Sequence, residues 1–138
     1  EILSGLVGSE MCIRDSAWDD DDGLTEDPQR EISLIYYPNR EGLEDRVFRI
    51  KTERSSASTP EPRTAHFVAN LEVLEESAEQ VEVRFNWQTL SHRYKSTDVY
   101  FGTSFYHLDM RGDQPLITAK KVVLKNDYVH QVLDIYHI

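Results

Sequence analysis

Alternation dominates the middle of the chain. Across residues 80–92, Val81, Val83, Phe85, Trp87 and Thr89 share one parity, while Glu82, Arg84, Asn86, Gln88 and His92 share the other. Successive strand side chains leave on opposite sides, so this pattern predicts a strand with one buried and one wet face. Leu90 is the apolar residue on the wet parity. The run 64–76 places Phe67, Ala69, Leu71 and Val73 on one face. The run 96–110 is apolar on both sides, with Val99, Phe101 and Phe105 against Tyr100, Tyr106 and Leu108, which predicts a strand covered on both faces. The run 116–124 is rich in β-branched Ile117, Thr118, Val122 and Val123. Turn-forming stretches at 77–79, 93–95 and 111–115 separate these runs. Residues 63–124 therefore read as four consecutive antiparallel strands.

Ahead of them, the apolar run 32–37 ends at Pro38-Asn39 and reads as a strand closed by a turn. Asn39 is placed to cap a helix from Arg40 to about Arg54. Leu43, Val47, Ile50 and Arg54 follow i, i+4, i+7 and i+11, with Phe48 widening the stripe. Gly42 costs a helix interior about 1 kcal/mol against alanine, so this helix depends on packing. Residues 55–62 (SSASTPEP) form a loop by composition. The tail 128–138 suits a helix through Val129, Val132, Leu133 and Tyr136, or a strand through Val129, Leu133 and Ile135. Either way it is apolar enough to be packed against this domain or a partner.

At 138 residues the chain fits one domain, large enough to build a core without disulfides or metal. Its net charge of −10 is unevenly placed: residues 1–31 carry 10 acids and 2 bases, the rest 15 acids and 13 bases. The sheet-forming part is thus nearly neutral and lacks the basic stripe of a nucleic-acid binder or membrane-surface protein. No apolar run approaches the ~20 residues of a membrane helix. Cys12 is the one cysteine, which excludes an intrachain disulfide or a cysteine-based zinc or iron–sulfur site within this chain and suits a reducing cytoplasm.

Residues 1–16 (EILSGLVGSEMCIRDS) differ in character from the rest of the chain and lack the basic start of a signal peptide. They resemble the translated sequencing-adapter ends found on metagenomic proteins, whose hallmark string is GLVGSEMCIRD. Residues 1–16 are therefore expected to be non-native, with the domain over 17–138 and the natural N-terminus missing. Asp19, Asp20, Asp21 and Asp22 form an acidic run able to attract Ca²⁺ or Mg²⁺, but EF-hand spacing does not follow, and a solvated acidic loop is the expectation.

The search for chemistry finds no glycine-rich phosphate loop, G-x-S-x-G elbow or H-E-x-x-H motif. The histidines are His66, His92, His107, His130 and His137. His66, His107 and Asp109 have the composition of a 2-His-1-carboxylate iron site, although isolated strand histidines are more often structural. Tyr36, Tyr37, Phe85, Trp87, Tyr100, Phe101, Phe105 and Tyr106 would either line a ligand cavity or fill the core, and the core is the preferred reading. Arg84, Arg93 and Lys95 read as a wet face or an intersubunit rim.

The order strand, helix, loop, four long strands resembles the cone-shaped α+β fold of nuclear transport factor 2 (cystatin-like), with a curved mixed or antiparallel sheet packed on a helix. Within that superfamily, the stretches LTEDPQREISLIYYPNREGLEDRVFRIKTERSSA (24–57), RTAHFVANLEVLE (63–75), VRFNWQTLSHRYKSTDVYFG (83–102) and VVLKNDYVHQVLDIYHI (122–138) resemble the small (beta) subunit of Rieske ring-hydroxylating dioxygenases of the benzoate/toluate/anthranilate type. Family members begin with two helices and a first strand, for which adapter-like residues stand here. The resemblance implies a non-catalytic, structural subunit, cytoplasmic, assembled with a large (alpha) subunit as α3β3. That partner is expected to carry the Rieske [2Fe-2S] cluster and the mononuclear Fe(II), with NADH supplying electrons through a separate reductase. The complex would cis-dihydroxylate an aromatic carboxylate in aromatic catabolism. No catalytic, cofactor-binding or metal-binding residue is assigned to this chain. The alternative is a stand-alone isomerase, dehydratase or small-ligand-binding domain on the same cone, which needs an acid–base pair inside it.

Overall fold

The computed structural model describes residues 7–16, 33–52 and 59–138. In chain order these form β1 (Val7–Ser16), β2 (Ser33–Tyr37), α1 (Arg40–Lys51), β3 (Arg63–Glu76), β4 (Gln80–Arg93), β5 (Ser96–Asp109) and β6 (Leu116–Leu124), closed by a 3₁₀ turn at Ile135–His137. The strands make one six-stranded sheet in the order β2-β1-β6-β5-β4-β3. All neighbours are antiparallel except β1 and β6, so the sheet is mixed. The segment set aside in the sequence, 1–16, thus contributes the strand between β2 and β6.

The four long strands follow the expected hairpin order, and β4 behaves as its alternation requires. Trp87 and Thr89 are buried while Gln88 between them is exposed. Directly paired residues share a face, so the pairs Thr89↔Tyr100, Trp87↔Gly102 and Gly102↔Leu124 carry that inner face across β5 to β6. Two groups of side chains cover it. Tyr37 and Leu43, with Tyr106 and Leu108, pack on Ile117. Val129, Leu133 and Ile138 of the tail, with Phe85, pack on Trp87, Tyr100, Val122 and Leu124.

Two expectations for the long strands are corrected. Strand β3 is exposed along its length, because it is the sheet edge, although the His66 side chain is partly covered where it meets Thr89. Nor do its apolar residues keep one face: Asn70 sits at φ 56° and the pairing shifts register between Ala69 and Glu72. Phe67 consequently pairs with Gln88 on the outer face, while Val73 pairs with Val83 on the inner one. In β5, Gly102, Thr103 and Ser104 are buried, but Val99 and Phe101 remain open, so the strand is covered on both faces only at its centre.

Helix α1 begins where the capping residue places it, Asn39 Oδ1 accepting from Gly42 N at 3.3 Å. It ends at Lys51, with Thr52 as its C-cap; the expected end near Arg54 lies outside the described residues. Leu43 faces the sheet, whereas Phe48 is 69% exposed and does not join the buried stripe. An i, i+4 ion pair joins Arg40 and Glu44 at 2.6 Å.

The β4–β5 hairpin turns through Tyr94 and Lys95, at φ 51° and 65°. Two consecutive left-handed residues make the tight turn that matches strand twist, and it normally uses Asn or Gly. Arg93 lies over the Tyr94 ring at 4.7 Å, and Tyr94 donates to Thr59 O at 3.2 Å, which holds the turn in place. Lys95→Gly removes a left-handed penalty of about 1 kcal/mol. The variant is expected to melt a few degrees higher, and calorimetry checks this; a lower melting temperature would show that Lys95 makes a contact worth more than its backbone cost.

Candidate functional site

Polar side chains on the inner face come from four elements. His66 of β3 lies 3.0 Å from Thr89 Oγ1 through Nδ1. Burial, assisted by the Lys120 charge, holds the His66 imidazole below its ordinary pKa. Burial pushes the Tyr106 phenol up to about 12. It also raises Tyr100, with Asp98 adding to the effect. His137 is 4% exposed, and burial brings it down to about 4 against the opposing pull of Asp134 and Asp98. At neutral pH this face therefore holds neutral imidazoles and protonated phenols. General acid–base catalysis wants groups that titrate near the working pH; burial pushes these away from it.

The inner face is tied to α1 by Asp134, which is 1% exposed. Arg46 Nε donates to its Oδ1 at 3.0 Å, and Arg46 Nη2 donates to Oδ2. That hydrogen bond, together with the carboxylate charge, raises the Arg46 pKa despite partial burial. The sequence search did not single out Arg46 or Asp134, and named His137 only as one of the five histidines. The available signal was the D-x-x-H spacing of Asp134 and His137, which forms a capping box with the Asp134 N–H donating to His137 Nδ1 at 2.9 Å.

The outer face is different in kind. Phe67, Val99 and Phe101 wall an open groove of about 460 Å³, with Asn86, Gln88 and Lys125 at its rim. Farther along the β3 edge, Leu71 and Leu74 are also exposed, at 67% and 41%. Contiguous exposed apolar surface of this kind marks an interaction site or an aggregation liability.

The residues that could have formed an iron site are not brought together. His66 faces inward beside Thr89, while His107 pairs with Glu82 and lies 3.9 Å from its carboxylate. Asp109 is taken up by Arg111, whose guanidinium holds its carboxyl down at about 2. Of the aromatics, Trp87 and Tyr100 are core, Phe85 and Tyr106 meet edge to face at 5.0 Å, and Phe101 lines the outer groove. Arg84 lies on the wet face, paired with Glu72 at 3.1 Å. The acidic run Asp19, Asp20, Asp21 and Asp22 lies outside the described residues, as does any side-chain geometry for Cys12.

Among the described residues, no helix is long and apolar enough to cross a membrane. The family described as "Ring hydroxylating beta subunit" matches residues 7–131. The chain is 64% identical over 122 residues to the toluate 1,2-dioxygenase subunit beta of Pseudomonas putida, covering 88% of this chain and 75% of that protein. It is 65% identical over 122 residues to the benzoate 1,2-dioxygenase subunit beta of Acinetobacter baylyi, covering 88% and 72%. Among solved structures, the beta subunit of the benzoate 1,2-dioxygenase from Burkholderia mallei superposes with a TM-score of 0.79 at 51% identity, over 97% of this chain and 80% of that one. A scytalone dehydratase-like protein from Novosphingobium aromaticivorans shares the fold at a TM-score of 0.59 and 14% identity, over 96% and 77%.

Proposed function

The chain belongs to the ring-hydroxylating beta subunit family, and from that premise we propose that it is the non-catalytic structural small subunit of a terminal oxygenase that cis-dihydroxylates benzoate-type aromatic carboxylates in aromatic catabolism. It works in the cytoplasm beside a large subunit, in an α3β3 assembly. The large subunit holds the Rieske [2Fe-2S] cluster and the mononuclear Fe(II), and a separate reductase passes on electrons from NADH. No residue of this chain is assigned to catalysis, cofactor or metal.

The structural observation that favours this reading over a stand-alone enzyme is the contrast between the two sheet faces. The inner face over β4, β5 and β6, where a cone-shaped enzyme would keep its acid and base, is covered by the chain's own tail. The outer face and the β3 edge present apolar side chains to solvent, as expected of a subunit whose partner covers them. The domain itself is proposed to span 17–138, with 1–16 foreign to it. The toluate and benzoate relatives align over 122 residues, as many as 17–138 contains, whereas the family match begins at residue 7 and residues 7–16 pair within the sheet as β1.

Co-expression with a benzoate-type large subunit, with residues 1–16 replaced by the corresponding relative's N-terminus, tests the reading. One species with the mass of three large and three small chains, turning over benzoate when both are present, is expected. Phe101→Asp on the outer face should reduce recovery of that species at least tenfold while the isolated chain keeps its circular dichroism. A small-chain oligomer that ignores the large subunit would sink the proposal.

A further inference from the structure

Residues 134–138 close the inner face in the manner of a stopper. Asp134 is clasped by Arg46 of α1 and also accepts from Ile135 N at 2.8 Å. The His137 ring lies with its centroid 4.8 Å from that of Tyr100 and 4.4 Å from that of Tyr136. Ile138 packs on the cluster of Trp87, Tyr100, Val122 and Leu124, and Lys120 Nζ donates to its main-chain oxygen at 3.3 Å. The connection from β6 to Asp134 contains neither helix nor strand and leaves Tyr128 and Val132 exposed, at 70% and 64%. Val129 and Leu133 anchor this connection on the core and Gln131 Nε2 donates to Asp98 Oδ2 at 2.7 Å, so that the part free to lift is the last turn, 134–138. Segments with few buried contacts and irregular backbone open more readily than the strands they cover. The clasp itself is a quarter exposed on the arginine side, where solvent weakens an ion pair.

The surface beneath has the make-up of a small-molecule site: apolar and aromatic walls with a small number of placed polar groups. Trp87, Tyr100, Val122 and Leu124 supply the walls. Thr89, which is fully buried and paired to His66, supplies a hydroxyl, and Lys120 stands where the Ile138 oxygen now lies. A flat ring already rests against Tyr100, namely the imidazole of His137.

We propose that residues 134–138 are a releasable plug over an aromatic-binding site: when the Arg46–Asp134 clasp opens, the space filled by the His137 ring and the Ile138 side chain takes a planar aromatic molecule with an anionic or hydrogen-bond-accepting substituent. The ring replaces the imidazole against Tyr100, and the substituent replaces the Ile138 oxygen at Lys120. Such a ligand binds the closed chain weakly, because apparent affinity falls with the fraction of molecules that are open. Opening the clasp therefore raises affinity, the reverse of what a mutation in an ordinary binding site does.

The test uses the full chain, its Arg46→Gln variant, the milder Asp134→Asn variant, and 2-naphthoate as the probe. Amide exchange at Ile135 and His137 is expected to quicken at least tenfold in the variants, with the amides of the β4–β5 ladder around Thr89 and Tyr100 unchanged. The variants should bind 2-naphthoate at least tenfold more tightly than the unaltered chain, shifting the amide resonances of Thr89 and Tyr100. Loss of ladder protection together with that of Ile135 and His137, or failure of both variants to fold, would show that these residues are an inseparable part of the core and overturn the proposal. Opening without any gain in 2-naphthoate affinity would overturn it equally.

Discussion

Gly102→Ala is expected to remove about 4 kcal/mol or more of stability, a large share of the roughly 5–15 kcal/mol that holds a typical domain folded. Gly102 lies in the centre of β5, opposite Trp87 on β4 and Leu124 on β6. A Cβ at this position would sit 2.0 Å from the carbonyl oxygen of Val123 and 3.2 Å from Trp87 Cζ2. Rotating a side chain does not relieve the first clash, because the offending atom is backbone. Relief requires parting β5 from β6 where Val122, Val123 and Leu124 are all buried. Overpacking in a core normally costs about 1–3 kcal/mol through shifted side chains; displacing a ladder that carries the core costs more. Urea unfolding followed by circular dichroism measures the effect. Gly112→Ala is the control: its nearest neighbour is 3.6 Å away in an exposed turn, so its unfolding midpoint should stay close to that of the parent chain. A Gly102→Ala protein within about 1 kcal/mol of the parent would show that the strands approach less closely than the structure has them.

Gly102 also illustrates what a linear pattern can and cannot reveal. Strand β4 was legible because alternation survives wherever a strand is interior and straight, as with Trp87 and Thr89. Strand β3 obeys the same alternation in sequence, but its meaning changes twice in space. The left-handed Asn70 reverses the parity beyond it, and the edge position leaves even its correctly phased residues uncovered. Neither fact has a local signature, since edge status is decided by which strands pair and not by the strand's own residues. Phe48 misled for a related reason: helical spacing locates a face, but the partner that covers it lies elsewhere in the chain.

The tail 128–138 resisted assignment because it has no period. Its structure is set by contacts across the fold, above all Arg46 to Asp134, 88 residues apart. The proposed subunit role was legible for another reason. Long runs such as IYYPNREGLEDRVFRIKTERS carried the family resemblance, and identities of 64% and 65% to dioxygenase beta subunits bear it out. The contents of the inner face were not legible, because His66, Thr89, Tyr100 and His137 come from three different strands and a turn. Their distances in sequence say nothing of their closeness in space.

Acidification should expose the role of one of them. His137 is held at about 4 in the folded chain, mainly by burial, while an unfolded histidine titrates near 6.5. The unfolded chain therefore binds this proton more readily, so stability is fully present above pH 6.5, declines as pH falls from 6.5 towards 4, and loses nothing further to this group below that. The span corresponds to a loss of roughly 3 kcal/mol. His66, also lowered, acts in the same direction. Asp109 does not contribute within this window: its pKa is depressed to about 2, so its stabilisation is lost only below the ordinary carboxylate range. His137→Asn keeps a side-chain oxygen able to accept from Asp134 N but removes the titrating ring. Urea unfolding between pH 7.5 and 4 is expected to show the parent chain losing stability faster than His137→Asn, so that the advantage of the parent at pH 7.5 shrinks or reverses by pH 4. Parallel curves would mean that the imidazole is solvated in the folded protein, and with it the sealed inner face would be wrong.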